Sequence, residues 1–495
     1  MNAPLYNELI LYSKNNKPFH MPGHKFGKGG KLREIDLLGL DNTEALGMDN
    51  LYVADGIIKE SMDLMANFYG SQKSIFLTNG STSGIIASIL ATCKEGDQML
   101  ISRNAHHSVW SALILAGVTP IYITPNYKSG NKLLAYIDET MIKNALEIYP
   151  NAKGALIVSP TYEGMVSDIQ EIANVLHDKD KILIVDEAHG AHFEISNDFP
   201  TSSVRLGADI VINSMHKTLP ALTQSGLLHI CSNRVLYEDV ISALRMIQTS
   251  SPSYMMMGVM DYTREYITQN RQDIQKNYVD ELIRLRSRLV KEFKVLTILD
   301  RPRERYDYSK IIISTTDAVI DGYGLASKLY DKYKITVEAE FEEYIIIMTT
   351  MADDSVSLEY LVDALINIDK EDSEMTERII NKYNLLNKRV KEHEEDIKNL
   401  CNDDMYQECI LNLEAVKGIS PRKIYNGTSE WISIQESKGK IASKNIMLYP
   451  PGIPIVCIGE EISISHIDII NRHSDKIQGI KSNEQKILLY VSTNY

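Results

Sequence analysis

The sequence predicts an α/β protein: a large domain built on a mostly parallel sheet, followed by a small α+β domain and a C-terminal α+β unit. Three observations carry this expectation. Short β-rich runs alternate with helix-like stretches between Ser74 and Cys231, the runs are apolar on both faces, and 495 residues allow about three units at roughly 150 residues each.

Taken in order, residues 1–45 form an N-terminal arm and 46–285 the large domain. Its strands are Ser74–Thr78, QMLIS ending at Ser102, IYIT from Ile121, ALIVS ending at Ser159, ILIVD ending at Asp186 and DIVINS ending at Ser214. Helical segments at Ile85–Cys93, Ser108–Ala116 and Gln170–His177 separate them, the rhythm of βαβ units. A charged helical stretch follows Pro252 through about Glu292. Two apolar strand-like runs, at Lys310 and Glu343, then define a small domain over 286–372. The polar stretch Asp369–Thr376 is expected to be a linker, and 373–495 a C-terminal domain. There Ile379, Tyr383, Leu386, Val390, Ile397 and Leu400 recur at near-heptad spacing, a repeat too short for a coiled coil and better suited to one amphipathic surface helix.

Composition narrows the partners. With 52 basic and 66 acidic side chains the net charge is −14, which repels a phosphate backbone, and no basic face offsets it, so no nucleic-acid partner is expected. No uninterrupted apolar run approaches the roughly 20 residues of a membrane span, and the start has no signal-peptide pattern. The five cysteines (Cys93, Cys231, Cys401, Cys409, Cys457) are scattered, which suits a reducing cytoplasm.

Chemistry is concentrated at strand ends, where open α/β sheets gather their functional groups. One strand delivers Asp186, Glu187, Ala188, His189 and Gly190; another delivers Ser214, Met215, His216 and Lys217. A lysine there can form a Schiff base, and an aspartate can hold a heteroaromatic nitrogen protonated, as pyridoxal phosphate requires. Alone, the acid is as easily a loop carboxylate and the lysine a solvated charge. The third element is Asn79-Gly80-Ser81-Thr82-Ser83-Gly84, hydroxyls and small residues opening a helix and so an anion site. By itself it would be an ordinary helix cap, and it lacks P-loop spacing. Cradle, acid and lysine along one sheet are far more specific together. His189 with His192, or His20 with His24, could line a helical face as metal ligands, but neither a Cys partner nor H-E-x-x-H accompanies them, and no metal is expected. His192 and His229 suit structural roles.

The segments HMPGHKFGKG (His20–Gly29), NGSTSG, RNAHHS (Arg103–Ser108), SPTYEG (Ser159–Gly164), DEAHGAHF (Asp186–Phe193), SMHKTLPALTQ (Ser214–Gln224), TSSPSY (Thr249–Tyr254) and YPPGIP with a following GE (Tyr449–Glu460) resemble the Orn/Lys/Arg decarboxylase family, nearest to its short, wingless Gram-positive arginine decarboxylases. The resemblance implies a fold-type-I, PLP-dependent transferase-like large domain, pyridoxal 5'-phosphate as cofactor, and decarboxylation of a basic amino acid. It assigns Lys217 as the Schiff-base lysine and Asp186 as partner of the pyridine nitrogen. It further assigns Ser81, Thr82, Ser83, Ser214 and His216 to the phosphate cradle, His106 to stacking on the ring, and His189 to the neighbourhood of the phenolic oxygen and substrate. Glu460 becomes a candidate for reading the substrate's distal cation. Asn50, Tyr52 and Glu163 depart from the family pattern, where an acid, a histidine and an aromatic are usual. The expected protein is a cytoplasmic homodimer or assembly of dimers that converts arginine to agmatine, with lysine or ornithine as second choices. An aminotransferase or other PLP chemistry, and an inactive binding relative, are the rivals.

Overall fold

The structure is a computed structural model describing residues 2–125, 136–387, 416–448, 453–472, 474, 477–483 and 486–494. An eight-stranded sheet forms its centre, in the order Val416–Lys417, Thr119–Ile123, Gln98–Ser102, Ala152–Val158, Ile182–Asp186, Ile210–Asn213, Gly226–Ile230, Lys73–Leu77. The strands from Thr119 to Asn213 pair in parallel, whereas Gly226–Ile230 and Val416–Lys417 pair antiparallel with their neighbours. Sequence reasoning named neither of these reversed strands. Both faces are covered, so Leu183, Ile184 and Val185 are fully buried, each contributing about 1.5–3 kcal/mol of apolar burial.

The small domain has a four-stranded antiparallel sheet, Ala339–Glu340, Tyr344–Met348, Lys310–Ser314 and Thr297–Ile298. The N-terminal strand Lys17–Phe19 pairs in parallel with Ile335–Val337. The chain then runs under the Lys217 turn, where Gly23 N–H donates to the His216 carbonyl at 2.7 Å and the Gly23 carbonyl accepts from Thr350 Oγ1 at 2.8 Å. A Cβ on Gly23 would stand 2.6 Å from the Leu219 carbonyl oxygen, so only glycine fits this approach.

The linker expectation is corrected: Asp369–Thr376 lies inside one helix, Ser355–Asn387. Its polar residues cap neighbouring backbone. Asp369 accepts the N–H groups of Lys294, Val295 and Leu296 at 2.8–3.0 Å, and Asp372 those of Val319 and Ile320. The 372/373 boundary therefore falls within a helix, as does 285/286, inside Asp280–Glu292. Ile379, Tyr383 and Leu386 lie on the first of these helices, while Val390, Ile397 and Leu400 lie outside the described residues, with Cys401, Cys409 and Tyr449–Gly452. Among the described residues, the C-terminal unit has two three-stranded sheets and the helices Pro421–Asn426 and Ile464–Arg472. No described helix is long and apolar enough to cross a membrane.

Candidate active site

A cavity of about 620 Å³ opens at the carboxyl ends of the parallel strands, and its wall includes Ser81, Thr82, His106, Asp186, His189, His216 and Lys217. Each is placed by local structure. Asp186 ends its strand, where its carboxylate accepts the Ala188 N–H at 3.1 Å. Lys217 sits on the short helix Met215–Thr218 directly after Ile210–Asn213. Ser81 and Thr82 occupy the first turn of Gly80–Thr92, where N–H groups lack intrahelical partners, and both line the cavity; the helix thus begins at the cradle rather than near Ile85. His106 caps His107–Ala116, its Nδ1 accepting the Ser108 N–H at 3.3 Å.

Electrostatics inside the cavity follow from burial. Desolvation pushes the Asp186 carboxyl up, against the pull of the Lys217 ammonium, and pushes Lys217 down, against Asp186. Burial, together with the charges of Lys217 and Lys310, holds His189 well below the usual histidine range. Burial, His107 and Lys217 lower His106 to about 4. Both histidines are therefore neutral at pH 7. A buried carboxylate facing a cavity calls for a cation, and a protonated pyridine nitrogen supplies one; at the other end, helix N–H groups and hydroxyls suit a phosphate. The residues present fit pyridoxal phosphate.

Three expected contacts do not reach the cavity. Ser83 is fully buried and donates to the Gly80 carbonyl at 2.7 Å, so its hydroxyl is spent on its own helix. Ser214 donates to Ser81 Oγ at 2.8 Å and buttresses the cradle from behind. Glu460, at 2 % exposure, is held in a buried fork by Arg103, with Nη1 at 2.8 Å from Oε2, and also accepts the Cys457 N–H at 2.6 Å. It joins the C-terminal unit to the large domain and has no free oxygen for a substrate. Asn50, Tyr52 and Glu163 likewise stay off the cavity wall. Asn50 Oδ1 accepts the N–H groups of Tyr52 and Val53, Tyr52 Oη donates to the Thr249 carbonyl at 2.7 Å, and Glu163 is buried with Oε2 unpartnered. His192 Nε2 meets Asp307 at 3.0 Å, and His229 bonds through both nitrogens to Ser74 and Asn213.

Sequence reasoning missed other groups. Tyr162, Met447 and Gln478 line the cavity, the last two on paired strands of the C-terminal unit. Lys310 is fully buried, with Nζ 3.1 Å from His189 Nδ1, while Lys217 Nζ stands 3.1 Å from His189 Nε2. The signal for Lys310 was a lysine opening an otherwise apolar strand, since lysine is almost never fully buried without a partner.

A parallel sheet that presents an acid and a lysine over a helix-terminal cradle defines a fold-type-I, pyridoxal-phosphate-dependent enzyme. The chain belongs to the Orn/Lys/Arg decarboxylase family: residues 3–303 match the family's major domain and 402–483 its C-terminal domain. It is similar to the uncharacterized protein YaaO of Bacillus subtilis, 33% identical with 99% of each chain covered, and to the arginine decarboxylase of Bacillus anthracis, 29% identical over 95% of this chain and 93% of that one. Its fold resembles that of the Francisella novicida lysine decarboxylase LdcF, with a TM-score of 0.73 at 19% identity over 99% of this chain and 81% of that one.

Proposed function

We propose that this decarboxylase acts on arginine, releasing carbon dioxide and agmatine. The observation that carries the reading is the meeting of Lys217, Asp186, His189 and the Ser81–Thr82 helix terminus in one cavity. Similarity to arginine decarboxylases of several bacilli, at 28–31% identity over more than nine-tenths of this chain, supports the substrate. Pyridoxal phosphate supplies, when bound, an electron sink for the bond that leaves with carbon dioxide.

The chain's own groups have distinct tasks. Lys217 Nζ is the amine that bonds the cofactor, and burial favours its neutral, nucleophilic form. With the cofactor bound, Asp186 would hold a proton at the ring nitrogen, Ser81 and Thr82 would take the phosphate beside the helix N-terminus, and His106 would stack on the ring. His189 stands beside Lys217, and either returns the proton to Cα. The protein acts in the cytoplasm as a homodimer or an assembly of dimers. The terminal helix Pro4–Asn15 supports this, since none of its residues is buried and Leu5, Tyr6, Leu9 and Leu11 stand exposed for a second copy to cover.

Incubation of the purified protein with arginine, lysine, ornithine and citrulline, followed by mass identification of the products, tests the reading. Agmatine and carbon dioxide from arginine are expected. Diamines from lysine or ornithine as the main products would overturn the substrate, and a keto acid would overturn the reaction.

A further inference from the structure

His189 lies between two lysines, with Lys217 Nζ 3.1 Å from Nε2 and Lys310 Nζ 3.1 Å from Nδ1. A neutral imidazole offers one donor and one acceptor, whereas an ammonium only donates. If Lys217 is the ammonium, it donates to Nε2, the ring proton sits on Nδ1, and Lys310 must accept as a neutral amine. If Lys310 is the ammonium, the ring proton sits on Nε2 and points at an uncharged Lys217. The charges of the two lysines are thereby exclusive while the ring is neutral, the form that burial and the flanking lysines favour.

The surroundings choose between the two. Burial pushes both lysines down; against it, Glu338, Asp307 and Glu163 draw charge onto Lys310, whereas Asp186 and Glu338 draw it onto Lys217, and each lysine opposes the other. A pyridine nitrogen bound at Asp186 would engage that carboxylate and leave the greater pull on the Lys310 side. Glu338 is fixed there, accepting from Met21 N–H at 2.9 Å and Tyr162 Oη at 3.0 Å. Lys310 Nζ also lies 3.4 Å from Met348 Sδ and 5.5 Å from the centre of the Tyr162 ring. At Lys310, Arg286 donates to the backbone carbonyl, at 2.9 Å.

We propose that Lys310 is a positioning residue and proton store for Lys217, acting through His189. It donates to Nδ1, aims Nε2–H at Lys217, and exchanges a proton with it across the ring. In that exchange a Lys310 N–H bond breaks as Nδ1–H forms, and Nε2–H breaks as an N–H forms on Lys217. One proton moves, and the imidazole ends neutral with its tautomer switched. The proposal rests on Lys217 carrying the cofactor.

The test uses the holoenzyme. Borohydride reduction and peptide mass first locate the cofactor; if it is absent from Lys217, the parent reading and this one fall together. The visible absorbance of the bound cofactor is then titrated against pH in wild type and Lys310→Met. Loss of the ammonium one ring away should raise the midpoint by about one pH unit and lower kcat roughly 100-fold with KM within about threefold. Nitrogen-15 spectra of histidine-labelled wild type, assigned with His189→Gln, should show the Nε2–H tautomer. Lys310→Gln, which donates without charge, should keep that tautomer but not the wild-type midpoint. A labelled Lys217 with an unmoved midpoint in Lys310→Met, or an Nδ1–H tautomer in wild type, overturns the role of Lys310 alone. The tautomer measurement stands even if a Lys310 variant fails to fold.

Discussion

Asp186 and Glu460 are both buried carboxylates near the same strand ends, yet their neighbours give them opposite uses. Asp186 faces the cavity, so Asp186→Asn should leave folding intact and keep some cofactor while removing most of kcat, because a neutral amide no longer favours a protonated ring nitrogen; activity within a few-fold of wild type would remove its role. Glu460 faces Arg103, so Glu460→Gln should act on stability. Breaking one side of a buried pair costs about 3–5 kcal/mol, visible as a lower melting temperature, while KM for arginine stays within about threefold. A large change in KM with an unchanged melting temperature would return Glu460 to substrate recognition. The sequence exposed Lys217, Asp186 and His189 because strand ends and a motif marked them. It hid the direction each side chain faces: nothing local in Gly459-Glu460 reveals that Arg103, 357 positions earlier, reaches it.

Strands were legible wherever both faces are buried, since ILIVD and DIVIN leave little alternative to a central parallel strand. GLLHI at Gly226–Ile230 was harder, because its histidine breaks the apolar run. The structure gives the reason: His229 bridges the two neighbouring strands, Nδ1 to Ser74 Oγ at 2.7 Å and Nε2 to Asn213 Oδ1 at 2.9 Å. The Asp369–Thr376 helix was misread for the same cause, polarity that serves backbone in the fold rather than solvent. A pH dependence follows from His229, whose burial lowers it to about 3. The unfolded chain binds a proton below about 6.5 and the folded chain does not, so this site's stability is fully present above that pH and is lost progressively toward pH 3. Melting temperature should fall over that window, and His229→Gln, less stable at pH 7, should show a shallower fall. Parallel curves for the two proteins would exclude His229 as a cause.

At the scale of the molecule, the C-terminal unit is part of the active site as well as a neighbour of it. Met447 and Gln478 come from paired strands of that unit and line the cavity, while Arg103–Glu460 and the Tyr122 Oη bond to the Ile458 carbonyl at 3.1 Å hold the unit in place. Gln478→Ala should therefore alter kcat/KM for arginine relative to lysine and leave cofactor absorbance unchanged; an unaltered ratio would mean that the C-terminal wall does not read the substrate. The same unit supplies Val416–Lys417, which closes the outer edge of the large sheet against Tyr122 and Ile121. During synthesis the strand Thr119–Ile123 leaves the ribosome long before its cover. The interval is 416 − 123 = 293 residues, or about 15–60 s at bacterial elongation rates. For that time the nascent chain carries an open, apolar edge able to join a neighbouring copy on the same messenger, so the yield of native protein depends on the pace of translation and on chaperone cover as well as on final stability.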